Sequence, residues 1–217
     1  MPENTTHVAV LGSTGSIGRS ALEVVAAAEG RLRVAALSAF SNVELLAEQA
    51  RQFLPRWVVV ADRQAARRLD PGRLPRDCEL LIGPEGLVEV AGRPEVDTVL
   101  TAIVGSAGLR GTWAALEAGK TVALANKETL VTAGGLATCL AAERGARILP
   151  VDSEHSAVFQ ALQAGRRSEV RRVVLTASGG PFRNYTLEQL THVTVDDALA
   201  HPTWNMGRKI TLDSATM

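Results

Sequence analysis

The sequence predicts an α/β protein built on a doubly wound, largely parallel sheet, and two observations carry that reading. Short runs rich in Val, Leu and Ile alternate with Ala-rich amphipathic stretches, the pattern of repeated strand-helix units. The first junction between them is a glycine-rich turn, Gly12-Ser13-Thr14-Gly15-Ser16-Ile17-Gly18. At 217 residues the chain is long enough for one large domain, or one domain and part of another.

In order, the apolar runs place strands at His7 to Leu11, Arg33 to Ser38, Trp57 to Ala61, Glu79 to Ile82, Thr98 to Val104, Thr121 to Ala125 and Ala146 to Val151. The Ala-rich stretches between them place helices at Ser16 to Ala28, Val43 to Phe53, Leu109 to Ala118, Lys127 to Glu143 and Glu154 to Ala164. After about residue 150 the rhythm changes. A strand from Val170 to Thr176 leads into Ala177-Ser178-Gly179-Gly180-Pro181, then two short helical pieces and a loop from His201 to Lys209. Ile210 to Met217 reads as a strand that begins and stops, an unusual place for a domain to end, so the chain reads as a piece of a longer protein. The expected division is a nucleotide-binding domain over 1–150 and an incomplete second domain over 151–217.

Composition narrows the classes of function. The 23 basic and 23 acidic side chains cancel, which argues against a nucleic-acid or anionic-membrane partner. Only Cys78 and Cys139 are present, in different elements, so a disulfide framework is not expected and a cytoplasmic setting follows. The start, Met1-Pro2-Glu3-Asn4, lacks the basic and apolar regions of a secretory leader, and no apolar run reaches the ~18 residues of a membrane helix.

A glycine turn between a strand and a helix suits a dinucleotide pyrophosphate, because glycine admits close backbone approach and the helix start offers oriented N–H groups. Gly15 and Gly18 fit the last two glycines of G-x-G-x-x-G, whereas the first appears one residue early, at Gly12. At the end of the second strand, Leu37-Ser38-Ala39-Phe40-Ser41-Asn42 carries no carboxylate to repel a 2′-phosphate, which favours NADP over NAD. The loop also lacks Arg or Lys, leaving Ser41 and Asn42 to supply hydrogen bonds.

Asn126-Lys127-Glu128 follows another strand at the carboxyl edge of the sheet. Lys127 can contact substrate oxygens or the nicotinamide end, or the trio can simply cap a helix. Asp152-Ser153-Glu154-His155 follows the next strand. Two acids spaced by two on an extended chain share a side and can hold a hard cation, or they can cap the following helix. Ser178 before Gly179-Gly180 can cradle a phosphate or merely turn the chain. His201, Trp204 and Met206 lie in a short segment bracketed by Pro202 and Gly207, where packing and a lid over a ligand are both open.

Taken together, GSTGSIG, ALANKETLVTAG, LPVDSEHSAVFQAL, TASGGPFR, HPTWNMGRK and DSATM resemble, in order and spacing, the N-terminal part of the 1-deoxy-D-xylulose 5-phosphate reductoisomerase family. The resemblance implies a Rossmann-type NADP-binding domain and the incomplete start of an α+β catalytic domain. The implied reaction converts 1-deoxy-D-xylulose 5-phosphate to 2-C-methyl-D-erythritol 4-phosphate in non-mevalonate isoprenoid biosynthesis, with NADPH and Mg²⁺ or Mn²⁺. By the same resemblance Asp152 and Glu154 are metal ligands, and Ser153 binds substrate between them. Lys127, Ser153 and His201 are the catalytic group. Ser178 and Ser214 serve the substrate phosphate, while His201, Trp204 and Met206 close over it. Gly12, Thr14, Gly15, Ser16, Ile17, Ser41, Asn42, Asn126, Lys127 and Glu128 contact the cofactor. A homodimer is implied for the full-length protein. A third metal-binding glutamate and an Asn-Lys pair of the family follow the segment matching DSATM and are missing here, so these 217 residues alone are expected to be inactive or nearly so. Two readings compete: an NADP-dependent semialdehyde dehydrogenase, which needs a nucleophilic cysteine, and a non-catalytic NADP-binding module.

Overall fold

The structure, a computed structural model, describes residues 5–175, 179–205 and 207–215. It divides into two compact units, with the boundary between Ala164 and Gly165.

The first unit alternates strands and helices: β1 (Thr6–Leu11), α1 (Ser16–Ala27), β2 (Leu32–Ala39), α2 (Val43–Phe53), β3 (Trp57–Val60), α3 (Arg63–Ala66), β4 (Glu79–Ile82), α4 (Pro84–Gly92), β5 (Thr98–Thr101), α5 (Leu109–Glu117), β6 (Thr121–Leu124), α6 (Glu128–Arg144), β7 (Arg147–Pro150) and α7 (Ser153–Leu162). All seven strands are parallel, in the order β4-β3-β2-β1-β5-β6-β7. The apolar runs are continuous because both faces of the sheet are covered. In β1, Val8 and Val10 join a core with Leu22, Leu46 and Val58, whereas Ala9 and Leu11 join a second core with Leu87, Val90, Leu116 and Ala137. Alternation along the strand thus feeds both layers.

The chain winds from β1 out to β4 and then crosses back to the far side of β1 as β5. Strand order reverses between β1 and β5, and ligands of open α/β sheets bind outside the carboxyl ends of strands at such a point.

Several expected elements change. β5 stops at Thr101 rather than Val104, because the carbonyls of Ile103 and Gly105 are taken by the Asn126 side chain instead of a neighbouring strand. Helices α3 and α4 were not predicted; α4 opens with Pro84 in its first turn and buries Leu87, Val90 and Ala91. Asp152 and Glu154 do not share an extended strand. β7 ends at Pro150, Asp152 is the residue preceding α7, and Glu154 lies in that helix's first turn.

The second unit contains α8 (Leu187–Leu190), α9 (Val195–Leu199) and α10 (Arg208–Ser214), the first two opened by capping boxes on Thr186 and Thr194. The strand expected from Val170 is not formed: residues 170–175 have no ladder partner among the described residues, and Val173, Val174 and Leu175 are exposed. The strand expected from Ile210 is helix, nucleated when Thr211 donates both its N–H and its hydroxyl to Gly207 O, at 3.0 and 3.1 Å. β-Branched residues favour strands only where a pleated neighbour receives them. Among the described residues, no helix is long and apolar enough to cross a membrane.

Candidate functional site

The glycine turn sits at the switch point. Gly12 has φ +91°, and a Cβ there would lie 2.9 Å from Ala102 O, at the end of β5, so the approach of the two strand ends requires glycine. Ser13, at the position where the motif expects glycine, is fully buried and turned into the protein. Its hydroxyl donates to Gln49 Oε1 at 2.7 Å, while Gln49 Nε2 returns a bond to Ser13 O at 3.0 Å. Ser38 completes the clasp: its hydroxyl accepts from Gly12 N at 2.9 Å and its carbonyl from Ser13 N at 2.8 Å. Thr14 is half-buried, and Gly15, Ser16 and Ile17 are exposed. Gly15 precedes α1 with no side-chain cap, which leaves the first-turn N–H groups of a 12-residue helix available to an anion.

Beside this turn, β2 runs into Phe40-Ser41-Asn42. Asn42 Oδ1 caps α2 by accepting from Leu45 N at 3.3 Å. The loop has no cation of its own, yet one reaches it: Arg68 Nη2 donates to Ser41 O at 3.0 Å. Sequence reasoning missed this residue, and the adjacent pair Arg67-Arg68 after the third strand was its only signal.

At the other side of the switch point, Asn126 is 2% exposed with its amide fully committed. Nδ2 donates to Gly105 O at 2.8 Å and to Ile103 O, and Oδ1 accepts from Thr129 N at 3.0 Å and Thr129 Oγ1 at 2.5 Å. The capping alternative therefore holds for its side chain, which pins the loop after β5 to the start of α6. Glu128 is half-buried in the first turn of that helix.

Next along the same edge, Lys127 Nζ lies 3.3 Å from Asp152 Oδ2, and His155 Nδ1 lies 3.1 Å from Asp152 Oδ1. Burial raises the Asp152 carboxyl, but the Lys127 ammonium and hydrogen bonds from His155 and Lys127 outweigh it and hold the group below the ordinary carboxylate range. Glu154 adds to the lowering. Ser153 Oγ donates to Glu154 Oε2 at 2.7 Å. The order Lys127, Asp152, Ser153, Glu154 read from the sequence is thus one cluster, to which the structure adds His155. Two hard oxygen donors suit a divalent cation. Among the described residues, however, no group of three or more His, Cys, Asp or Glu side chains is placed to hold one.

In the second unit, His201 Nδ1 accepts from Thr203 N at 3.1 Å and Trp204 N at 2.9 Å. These bonds tie the Nδ1 side of the ring to the backbone of the residues that follow it. Trp204 is 61% exposed. Ser214 is buried and donates to Thr211 O at 2.9 Å. Gly180, at φ +52°, lets the Gly-Gly turn meet the end of α10, since a Cβ there would fall 2.1 Å from Ser214 O. Ser178 and Met206 lie outside the described residues.

A family model described as 1-deoxy-D-xylulose 5-phosphate reductoisomerase matches residues 8–134, and one described as the C-terminal domain of that enzyme matches residues 148–217. A protein of that name from Geotalea daltonii is 52% identical over 211 residues, covering 97% of this chain and 55% of its own length. One from Geobacter metallireducens is 55% identical over 208 residues, covering 96% and 54%. Among solved structures, the reductoisomerase from Zymomonas mobilis in complex with NADPH superposes with a TM-score of 0.88 at 43% identity, over 98% of this chain and 54% of that one. A reductoisomerase in complex with NADPH, fosmidomycin and magnesium gives 0.83 at 42% identity, over 97% and 54%. The chain spans about half the length of the curated relatives it matches.

Proposed function

The chain belongs to the 1-deoxy-D-xylulose 5-phosphate reductoisomerase family, and on that premise we propose that it comprises the NADPH-binding domain and the beginning of the catalytic domain of such an enzyme. Residues 1–150 bind the cofactor and residues 151–217 open the metal and substrate site. The whole protein converts 1-deoxy-D-xylulose 5-phosphate to 2-C-methyl-D-erythritol 4-phosphate in the cytoplasm, as a homodimer acting on a small sugar phosphate rather than on nucleic acid or a membrane.

The observation that carries this reading is the Lys127–Asp152–His155 array, with Ser153 and Glu154 beside it, on the same carboxyl edge whose switch point holds the Gly12 turn. Gly12, Thr14, Gly15, Ser16 and Ile17 line the pyrophosphate position, at the uncapped first turn of α1. Ser41 and Asn42 lie toward the ribose. Asn126 acts on the cofactor by holding the 103–105 loop, with Glu128 alongside.

Asp152 and Glu154 would hold Mg²⁺ or Mn²⁺, which when bound polarises carbonyl and hydroxyl oxygens of the substrate. Lys127 keeps Asp152 ionised and offers its ammonium to substrate oxygens. His155 orients the same carboxylate, and Ser153 donates its hydroxyl. His201, Trp204 and Met206 close over the substrate, and Ser178 and Ser214 take its phosphate.

The semialdehyde dehydrogenase reading needs a thiolate nucleophile, and both thiols are pushed the wrong way. Burial and Glu79 raise Cys78 to about 11, and the hydrogen bond and charge of Glu143 raise Cys139 on α6. A metal test decides. In a full-length family protein carrying these residues, NADPH oxidation with the ketose phosphate stops with EDTA and returns with Mg²⁺; EDTA-resistant turnover contradicts the reading.

A further inference from the structure

The sequence left the cofactor's 2′-phosphate without a cation, and the structure supplies one from another element. β2 and β3 run in parallel register with Ala39 opposite Val60, so the connections leaving their carboxyl ends lie side by side. They are stitched by backbone bonds, Ala61 N to Ala39 O at 2.9 Å and Asp62 N to Phe40 O at 3.1 Å. Asp62 then caps α3 by accepting from Gln64 N at 2.7 Å, which commits its carboxylate to the backbone. The turn that follows is fastened by Arg68 N to Ala65 O at 2.9 Å, between buried Ala66 and buried Leu69. With its backbone held this way, Arg68 extends an exposed side chain to Ser41 O, where it spends one of the five N–H donors a guanidinium carries. Arg63, one turn earlier, is held at 2.9 Å by Glu85; Arg68 has no ion pair among the described residues.

We propose that Arg68, reaching across from the turn after α3, receives the 2′-phosphate of the cofactor and sets the preference for NADPH over NADH. Ser41 O fixes the guanidinium at the end of β2, the position where dinucleotide-binding sheets meet the adenosine ribose. The remaining N–H groups form the planar, charge-assisted donor set that a phosphate takes. Ser41 supplies a hydroxyl, and Asn42, with Oδ1 used for the cap, supplies the hydrogens of Nδ2. This rests on the cofactor reading above and adds the residue that discriminates between the two nucleotides.

Calorimetric titration of the 217-residue chain with NADPH and with NADH, for the native sequence, R68Q and R68K, tests it. R68Q loses NADPH affinity by on the order of 10- to 100-fold and leaves NADH affinity unchanged, so discrimination collapses. R68K recovers part of the loss, and thermal melts of both variants match the native chain because the side chain is exposed. Native discrimination retained in R68Q overturns this proposal and leaves the cofactor reading standing. A native chain that binds neither nucleotide overturns the cofactor reading, and the proposal falls with it.

Discussion

At the level of single residues, Asp152 shows how the site is tuned. Its carboxyl is depressed in the folded chain, so the stability it contributes is present above the ordinary aspartate pKa of ~3.9 and is lost as pH falls through the lower folded value. Lys127 is about half exposed, which limits the pair to at most about 1 kcal/mol. Chemical denaturation of native chain and D152N should therefore differ at pH 6 and converge as the pH falls below the ordinary aspartate value, the direction set by the depressed carboxyl. Equal gaps at both ends would assign the effect to packing. Much of this cluster was legible in the sequence, because Lys127 and Asp152 each follow a strand and adjacent parallel strands end together. His155 and Arg68 were not. His155 meets Asp152 only because α7 begins at Ser153 and brings the two together across one helical turn, and Arg68 lies 27 residues from the carbonyl it reaches.

Among elements, the strands buried on both faces were the most readable, since an unbroken apolar run leaves little choice of structure. α2 matches its expected limits, fixed by the Asn42 cap and by Leu54 in the left-handed region. The errors fall where an apolar segment lacks a neighbour, as at 170–175, or where side-chain bonds end an element early, as Asn126 does for β5. The missing first glycine of the dinucleotide motif also has an answer at this scale: α2 lends Gln49 to fasten Ser13, so a buried serine occupies a position where glycine is usual. Q49L should cost about 1–3 kcal/mol, because it removes the Gln49 donor from the buried Ser13 carbonyl and leaves the Ser13 hydroxyl only its longer bond to Ser38 O, at 3.2 Å. S13A should cost less in the Q49L background than alone, a coupling of about 0.5 kcal/mol or more in a double-mutant cycle. Additive losses would show that the two side chains do not act as a unit.

For the molecule as a whole, the proposed function assigns one sheet edge two separable tasks. On that reading the switch-point turn and the β2 loop would bind the hydride donor, and the ends of β6 and β7, which are adjacent in the sheet, would begin the cation and substrate site. Removing the charge of Asp152 should therefore abolish chemistry without loosening the cofactor. The direct measurement pairs a Mg²⁺ titration of NADPH oxidation with NADPH binding, for native and D152N forms of a full-length family protein carrying these residues. The account predicts that D152N loses turnover at ordinary Mg²⁺ by on the order of 10²-fold or more and needs higher metal to recover any, while its NADPH affinity stays within about twofold. Unaltered metal dependence in D152N, or loss of NADPH binding in step with turnover, would contradict it.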